Sequence, residues 1–145
     1  MPAKAERHAS YTVALRSTGV AVQLHRFKNK DRWCPACKHH FIGHEEKETD
    51  VAIAVKMLEL FALDACDTVV LVTGDTDIAP AIRSATNLWP AKRIWVLFPV
   101  GRHNAELKAI AHGAIQLKAR RYPAQQLPNP VMISDTEVLW KPAGW

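Results

Sequence analysis

Two aspartates two residues apart close the segment Val69-Val-Leu-Val-Thr-Gly-Asp-Thr-Asp77, directly after a run of β-branched residues. Such a run reads as a strand buried on both faces of a parallel sheet, and in open α/β sheets ligands bind just beyond the carboxyl ends of the strands. Asp75 and Asp77 therefore stand where chemistry is expected, and Gly74 lets the backbone turn there. Carboxylates in close quarters repel unless a cation or proton intervenes, so the pair suits a hard divalent ion bound through oxygen, Mg²⁺ or Mn²⁺. A purely structural role is also open: Asp75 would close a turn and Asp77 would cap the next helix. Asp50 is a third candidate. It begins an apolar helix, after Thr49 as the expected N-cap, and a right-handed crossover into the Asp75 strand would carry it to the same rim. Its alternative role is interaction with the helix dipole, worth ~0.3–1 kcal/mol.

A second group is Cys34-Pro-Ala-Cys37 with His39, His40 and His44 close behind. Thiolate and imidazole are the preferred ligands of zinc, and a structural Zn²⁺ would explain how so long a polar segment stays ordered. Cys34 and Cys37 would supply two ligands, with His44 and one of His39 or His40 as the others; a loop of reduced cysteines is the alternative. Cys66, beside an apolar stretch, reads as a small buried hydrophobe.

The formal charge of +5 is unevenly spread. Arg26, Lys28, Lys30, Arg32 and Lys38 face a single acid, Asp31, and then Glu45, Glu46, Glu48 and Asp50 follow with only Lys47 among them. A basic arm beside an acidic cluster would lead a phosphate backbone toward a metal held by carboxylates. A solvated loop beside a helix start that favours acids gives the same pattern.

The elements that must position these groups follow from periodicity. Residues 5–17 read as an amphipathic helix with Ala9, Val13 and Leu15 toward a core, closed by Gly19. Val20–Phe27 reads as a strand, and residues 28–44 as a small structured insertion. Residues 49–65 form a helix with no wide polar face, which would need cover on most sides. A strand over 68–73, a helix over 77–88, a strand over 93–98, a helix over 104–111 and a strand over 114–117 complete the alternation of a doubly wound α/β sheet. A hairpin over 131–140, turning at Ser134-Asp135-Thr136, ends the chain. The expected division is one domain over 1–126, holding the insertion, and a tail over 127–145. With 145 residues, 48% hydrophobic, one globular core is expected. No apolar run reaches the ~20 residues of a membrane span, no secretory signal opens the chain, and the default location is cytoplasmic. Phosphate-cradling glycines of the G-x-G-x-x-G or Walker type are missing, which argues against a nucleotide cofactor.

Three segments together carry a family likeness. Glu45-Glu-Lys-Glu-Thr-Asp-Val-Ala-Ile-Ala-Val55, Val72-Thr-Gly-Asp-Thr-Asp-Ile-Ala-Pro-Ala-Ile82, and Phe98-Pro-Val-Gly-Arg102 with Glu106-Leu107 resemble an NYN domain of the bacterial LabA-like branch. The ending Gln126-Leu-Pro-Asn-Pro-Val131, with Lys141-Pro142 and Trp145, matches too. The resemblance implies a three-layer α/β/α, Rossmann-like PIN fold with a mainly parallel sheet. It also implies a nuclease, with RNA as the expected substrate, in which Asp50, Asp75 and Asp77 hold one or two Mg²⁺ or Mn²⁺ ions for metal-assisted hydrolysis. Thr73 falls on the small hydroxyl residue before the glycine, and Asn104, after Arg102, falls where a serine is common and would orient substrate. Lys28, Lys30, Arg32 and Arg102 are the expected phosphate contacts. Two departures stand out: relatives usually open with a strand ending in a further metal-binding Asp, for which nothing before Tyr11 serves, and Ala111-His-Gly113 lacks an acid common there. Strands left without neighbours would favour self-association or a completing partner chain. A module that grips RNA or protein without cutting is the alternative reading, and a Rossmann-like phosphohydrolase a more distant one.

Overall fold

A computed structural model of the chain describes residues 4–143, so Trp145 of the family-like ending lies outside the described residues. Its elements in chain order are α1 (Lys4–Ser17), β1 (Phe27–Trp33), β2 (His40–Glu46), α2 (Thr49–Ala62), β3 (Thr68–Val72), α3 (Ala79–Leu88), β4 (Arg93–Phe98), α4 (Ala105–Ile110), β5 (Gly113–Gln116), β6 (Val131–Met132) and β7 (Val138–Leu139). They fall into two compact units: His25–Arg121, and the chain up to Leu24 together with the chain from Tyr122.

In the larger unit β3, β4 and β5 form a parallel sheet in that order, with Val70 opposite Trp95 and Leu97 opposite Ile115. The period of two along Arg93-Ile-Trp-Val-Leu-Phe98 buries Ile94, Val96 and Phe98 completely. Against that face α2 places Met57 and Phe61, α3 places Ala79, Ile82 and Ala85 at helical spacing, and α4 places Leu107. This is the mixed α/β class with a parallel sheet that the alternation implies.

Three expectations fail here for one reason, since the pattern of apolar residues does not say which neighbours exist. Residues 20–26 have no regular structure, and the strand begins at Phe27 and pairs antiparallel with β2. The extended segment acquires a partner only where the turn at Cys34-Pro-Ala-Cys37 folds the chain back. Strand β3 is not buried on both faces: Leu71 is buried, but Val70 and Val72 are 56% and 61% exposed. Trp95 and Ile115 share that open face with them. Helix α2 is likewise covered on one side only, leaving Val51 and Val55 exposed.

Ion pairs and caps fix the ends of these elements. Helix α2 ends with Asp64 at φ 54°, while Ala65 N–H donates to the Leu60 carbonyl at 2.9 Å. The Lys92 ammonium, at the entrance to β4, donates to both Asp64 and Asp67. It therefore ties the α2–β3 turn to the next strand. At the other end of α2 the cap is Glu48, in the left-handed region at φ 78° without a side-chain bond, rather than Thr49, which is already helical.

In the smaller unit α1 buries Thr12 and Ala14 rather than the expected Ala9 and Val13, which stay exposed; Leu15 is half-buried. Its chain turns at Gly19, φ 85°, with Val20 N–H returning to the Leu15 carbonyl at 3.2 Å. The tail hairpin forms as the sequence suggests, β6 pairing with β7. Asn129 Oδ1 accepts from Lys141 N–H at 2.8 Å across its base.

Two outcomes follow. The Lys92 ammonium holds the Asp64 carboxyl below its usual range, and Asp64 followed by Asp67 raises Lys92. A depressed carboxyl contributes stability above its unfolded pKa and loses it as pH falls through the folded one. Lys92→Met should therefore flatten the acid side of the stability profile, read as the urea midpoint between pH 7 and pH 3, while lowering it at neutrality. Separately, a Cβ on Gly113 would sit 2.5 Å from the Trp95 ring. Gly113→Ala should cost about 1–3 kcal/mol and shift Trp95 fluorescence, both read in one denaturation series.

Candidate metal centre

The loop that leaves β3 is built by its own side chains. Thr73 Oγ1 accepts from Asp75 N–H at 3.0 Å, and Asp75 Oδ1 accepts from Asp77 N–H at 3.1 Å, capping a single 3₁₀ turn over Thr76–Ile78. Ile78 and Ala79, both buried, plug that turn into the core, and Pro80 sits in the first turn of α3 where its missing N–H costs nothing. Asp50 stands in the first turn of α2.

These two segments bring the three aspartates together. Oxygens of Asp50, Asp75 and Asp77 lie within 4.8 Å of one another, and all three side chains are exposed. None of the three carboxylates has an ion-pair partner among the described residues. The structural role foreseen for Asp75 is real but takes one oxygen, so its other oxygen and both neighbouring carboxylates stay available. An all-oxygen, triply negative and water-accessible cluster is the donor set a hard divalent ion prefers, with waters completing its shell.

Around the cluster the chemistry is more divided. Gly74 leaves room for Arg102: a Cβ there would lie 2.9 Å from the Arg102 Cβ. The Arg102 backbone is set by a turn in which its N–H donates to the Pro99 carbonyl at 3.0 Å, with Gly101 at φ 76°. Asn104 is the N-cap of α4, its Oδ1 accepting from Leu107 N–H at 3.1 Å. Thr73 and Asn104 thus each spend a side-chain acceptor on local backbone. One residue that no motif singles out, His103, follows Arg102 in the chain, its ring 5.2 Å from that of Phe98; nothing in its spacing marks it.

Strands β1 and β2 form a hairpin whose residues Lys28, Lys30 and Arg32 share one face. Lys30 pairs with Glu45 at 3.0 Å, and Lys47 reaches the same oxygen at 3.4 Å, so Glu45 titrates below the usual carboxylate range. Arg32 folds its stem over Gly43. Only Lys47 and Glu48 separate β2 from α2, so the base of the hairpin adjoins Asp50.

The five residues named for zinc do not assemble. Among the described residues, the aspartate trio is the one group of three or more metal-binding side chains whose atoms converge. His44 is paired opposite Asn29, four residues along β2 from His40, about 13 Å at the rise of a strand. His40 Nε2 lies 2.9 Å from Asp31 Oδ1 and its ring 5.0 Å from that of Trp33. What remains is the cysteine pair at the tip, where the Cys37 amide, the Cys37 thiol and the Ala36 amide donate to the Cys34 sulfur and lower its pKa.

Among the described residues no helix is long and apolar enough to cross a membrane. Comparison with curated proteins and with solved structures gives no match. A family model does match: the NYN domain, over residues 3–118, which span β3 with its aspartates, α2 and the hairpin. The chain belongs to the NYN domain family, and through it to the PIN-like nuclease superfamily.

Proposed function

We propose that this protein is a divalent-metal-dependent nuclease that hydrolyses phosphodiester bonds in RNA. The observation that carries the reading is the convergence of Asp50, Asp75 and Asp77 within 4.8 Å in a chain of this family. Mg²⁺ or Mn²⁺ held there would polarise the phosphate and offset the charge that builds as water attacks phosphorus.

The protein's own groups would do the rest. Arg102, packed beside Gly74 at the rim, supplies a fixed cation for a non-bridging phosphate oxygen. Thr73 and Asn104 act as positioning residues, one setting the Asp75 loop and the other the start of α4. Lys28, Lys30 and Arg32 hold the backbone of the strand as it approaches, Lys30 less than the others because Glu45 already occupies it. A cytoplasmic location would supply both RNA and the reduced thiols of the hairpin.

A second reading, an RNA-gripping module without turnover, draws on the exposure of the three aspartates, since it leaves a reacting phosphate open to water.

Three measurements separate these. With labelled RNA and Mn²⁺ or Mg²⁺, Asp75→Asn should lower cleavage by more than ~100-fold, beyond the usual cost of altering a metal ligand's supporting partner. Its amide oxygen can still accept from Asp77 N–H, and one repelling charge is gone, so its melting temperature should match or exceed the parent's; full activity in this variant would refute the aspartate cluster as the catalytic metal site. Lys28→Gln should reduce the slope of log K against log salt for single-stranded RNA by about 0.7. Steep salt dependence with no cleavage under any divalent ion would favour the binding module. Gly74→Ala should lower cleavage through displacement of Arg102, with KM for RNA rising more than stability falls.

A further inference from the structure

The tip of the β1–β2 hairpin is shaped like half of a zinc site. Cys34 N–H donates to the His39 carbonyl and Lys38 N–H to the Cys34 carbonyl, each at 2.9 Å, which closes a tight turn. Lys38 adopts φ 58°, a left-handed conformation that a lysine takes only when the surrounding turn imposes it. The outcome is that Cys34 and Cys37, both free and both open to solvent, stand on one closed turn. Two thiols three residues apart on one closed turn form a bidentate ligand for zinc.

Zinc in a structural site is almost always four-coordinate, so two further ligands are required. The same chain does not bring them: no third His, Cys, Asp or Glu among the described residues joins the pair. His44 is too far along β2, and His40 is engaged by Asp31 and Trp33. The arm itself also lacks cover. Phe27, Trp33 and Ile42 lie on the face opposite Lys28, Lys30 and Arg32, and they are 63%, 65% and 57% exposed. A two-stranded hairpin is marginal in water without a further support. A second tip of the same shape would supply two thiolates and bring its own exposed Phe27, Trp33 and Ile42.

We infer that Cys34 and Cys37 of two copies of this chain share one Zn²⁺ in a four-thiolate site, which joins the copies through their hairpin tips. The charge left on such a site, two negative after the cation is counted, suits it to an exposed position. The site is separate from the aspartate cluster and does not rest on the nuclease reading.

The test uses the full chain, reduced with a phosphine and stripped of metal, then titrated with Zn²⁺ and, as an optical probe, Co²⁺. The expected result is saturation at one ion per two chains, a doubling of the light-scattering mass at the same point, and the intense thiolate-to-cobalt band of a four-thiolate tetrahedral site. Cys37→Ser should abolish all three. His39→Ala should leave them unchanged, and because it keeps both thiols and the His39 carbonyl that accepts from Cys34 N–H it also guards against a general folding defect. Saturation at one ion per chain with unchanged mass, lost in His39→Ala, would overturn the shared site in favour of one closed within a single chain. Absence of binding by the parent at a tenfold excess of Zn²⁺, with its far-UV circular dichroism intact, would overturn it altogether.

Discussion

Three carboxylates with oxygens inside 4.8 Å of each other push apart, and the scaffold has to oppose that push. Each pair costs roughly 1 kcal/mol if water screens it fully and about 3–4 kcal/mol at the effective dielectric of a protein surface. The restraint comes from beneath. Met57 and Phe61 anchor α2, Ile78 and Ala79 anchor the Asp75–Asp77 turn, and all four belong to the one buried cluster under β4. Neither segment can swing its aspartates away without opening that cluster, so the repulsion is relieved more cheaply by a cation than by movement. The turn adds local stiffness, because Thr73 and Asp75 spend oxygens on the amides that would otherwise let it unwind.

Much of this was legible in the residues. The alternation along Arg93–Phe98 and the helical spacing of Ala79, Ile82 and Ala85 marked the faces they bury, and the aspartates beyond β3 marked the rim. Local chemistry determines such features, and local chemistry is what a sequence displays. Pairing over distance was not legible. Val20, Val22 and Leu24 alternate as a strand would, yet a strand needs an edge to pair with, and the chain offers one only from Phe27, opposite Glu46. The same limit misplaced His44, which the sequence sets near Cys37 and the strand register removes. The apolar runs imply cover on both faces for β3 and on most sides for α2, whereas among the described residues α2, α3 and α4 bury one face of the sheet and leave Val70 and Val72 exposed on the other. Thr73 and Asn104 each accept a backbone hydrogen bond, a role that their residue type permits but that no spacing in the sequence marks.

The junction between arm and cluster brings these strands of argument together. Glu48 occupies the left-handed region at φ 78°, at the point where β2 gives way to α2. For a residue with a Cβ that conformation costs about 1–2 kcal/mol, and no side-chain cap offsets it. A glycine there would be free of the cost but would also let the hairpin sweep through many directions. The glutamate restricts them, and the restriction falls two residues before Asp50. A basic face whose exit angle is fixed relative to the carboxylates concentrates a polyanion along one line, whereas a freely hinged arm would spread the same charges over a large volume. Glu45, Lys47 and Lys30 hold the base of that arm by their ion pairs. If the arm leads a phosphate backbone as proposed, that guiding effect would be strongest at low ionic strength, where the charges of Lys28 and Arg32 are least screened.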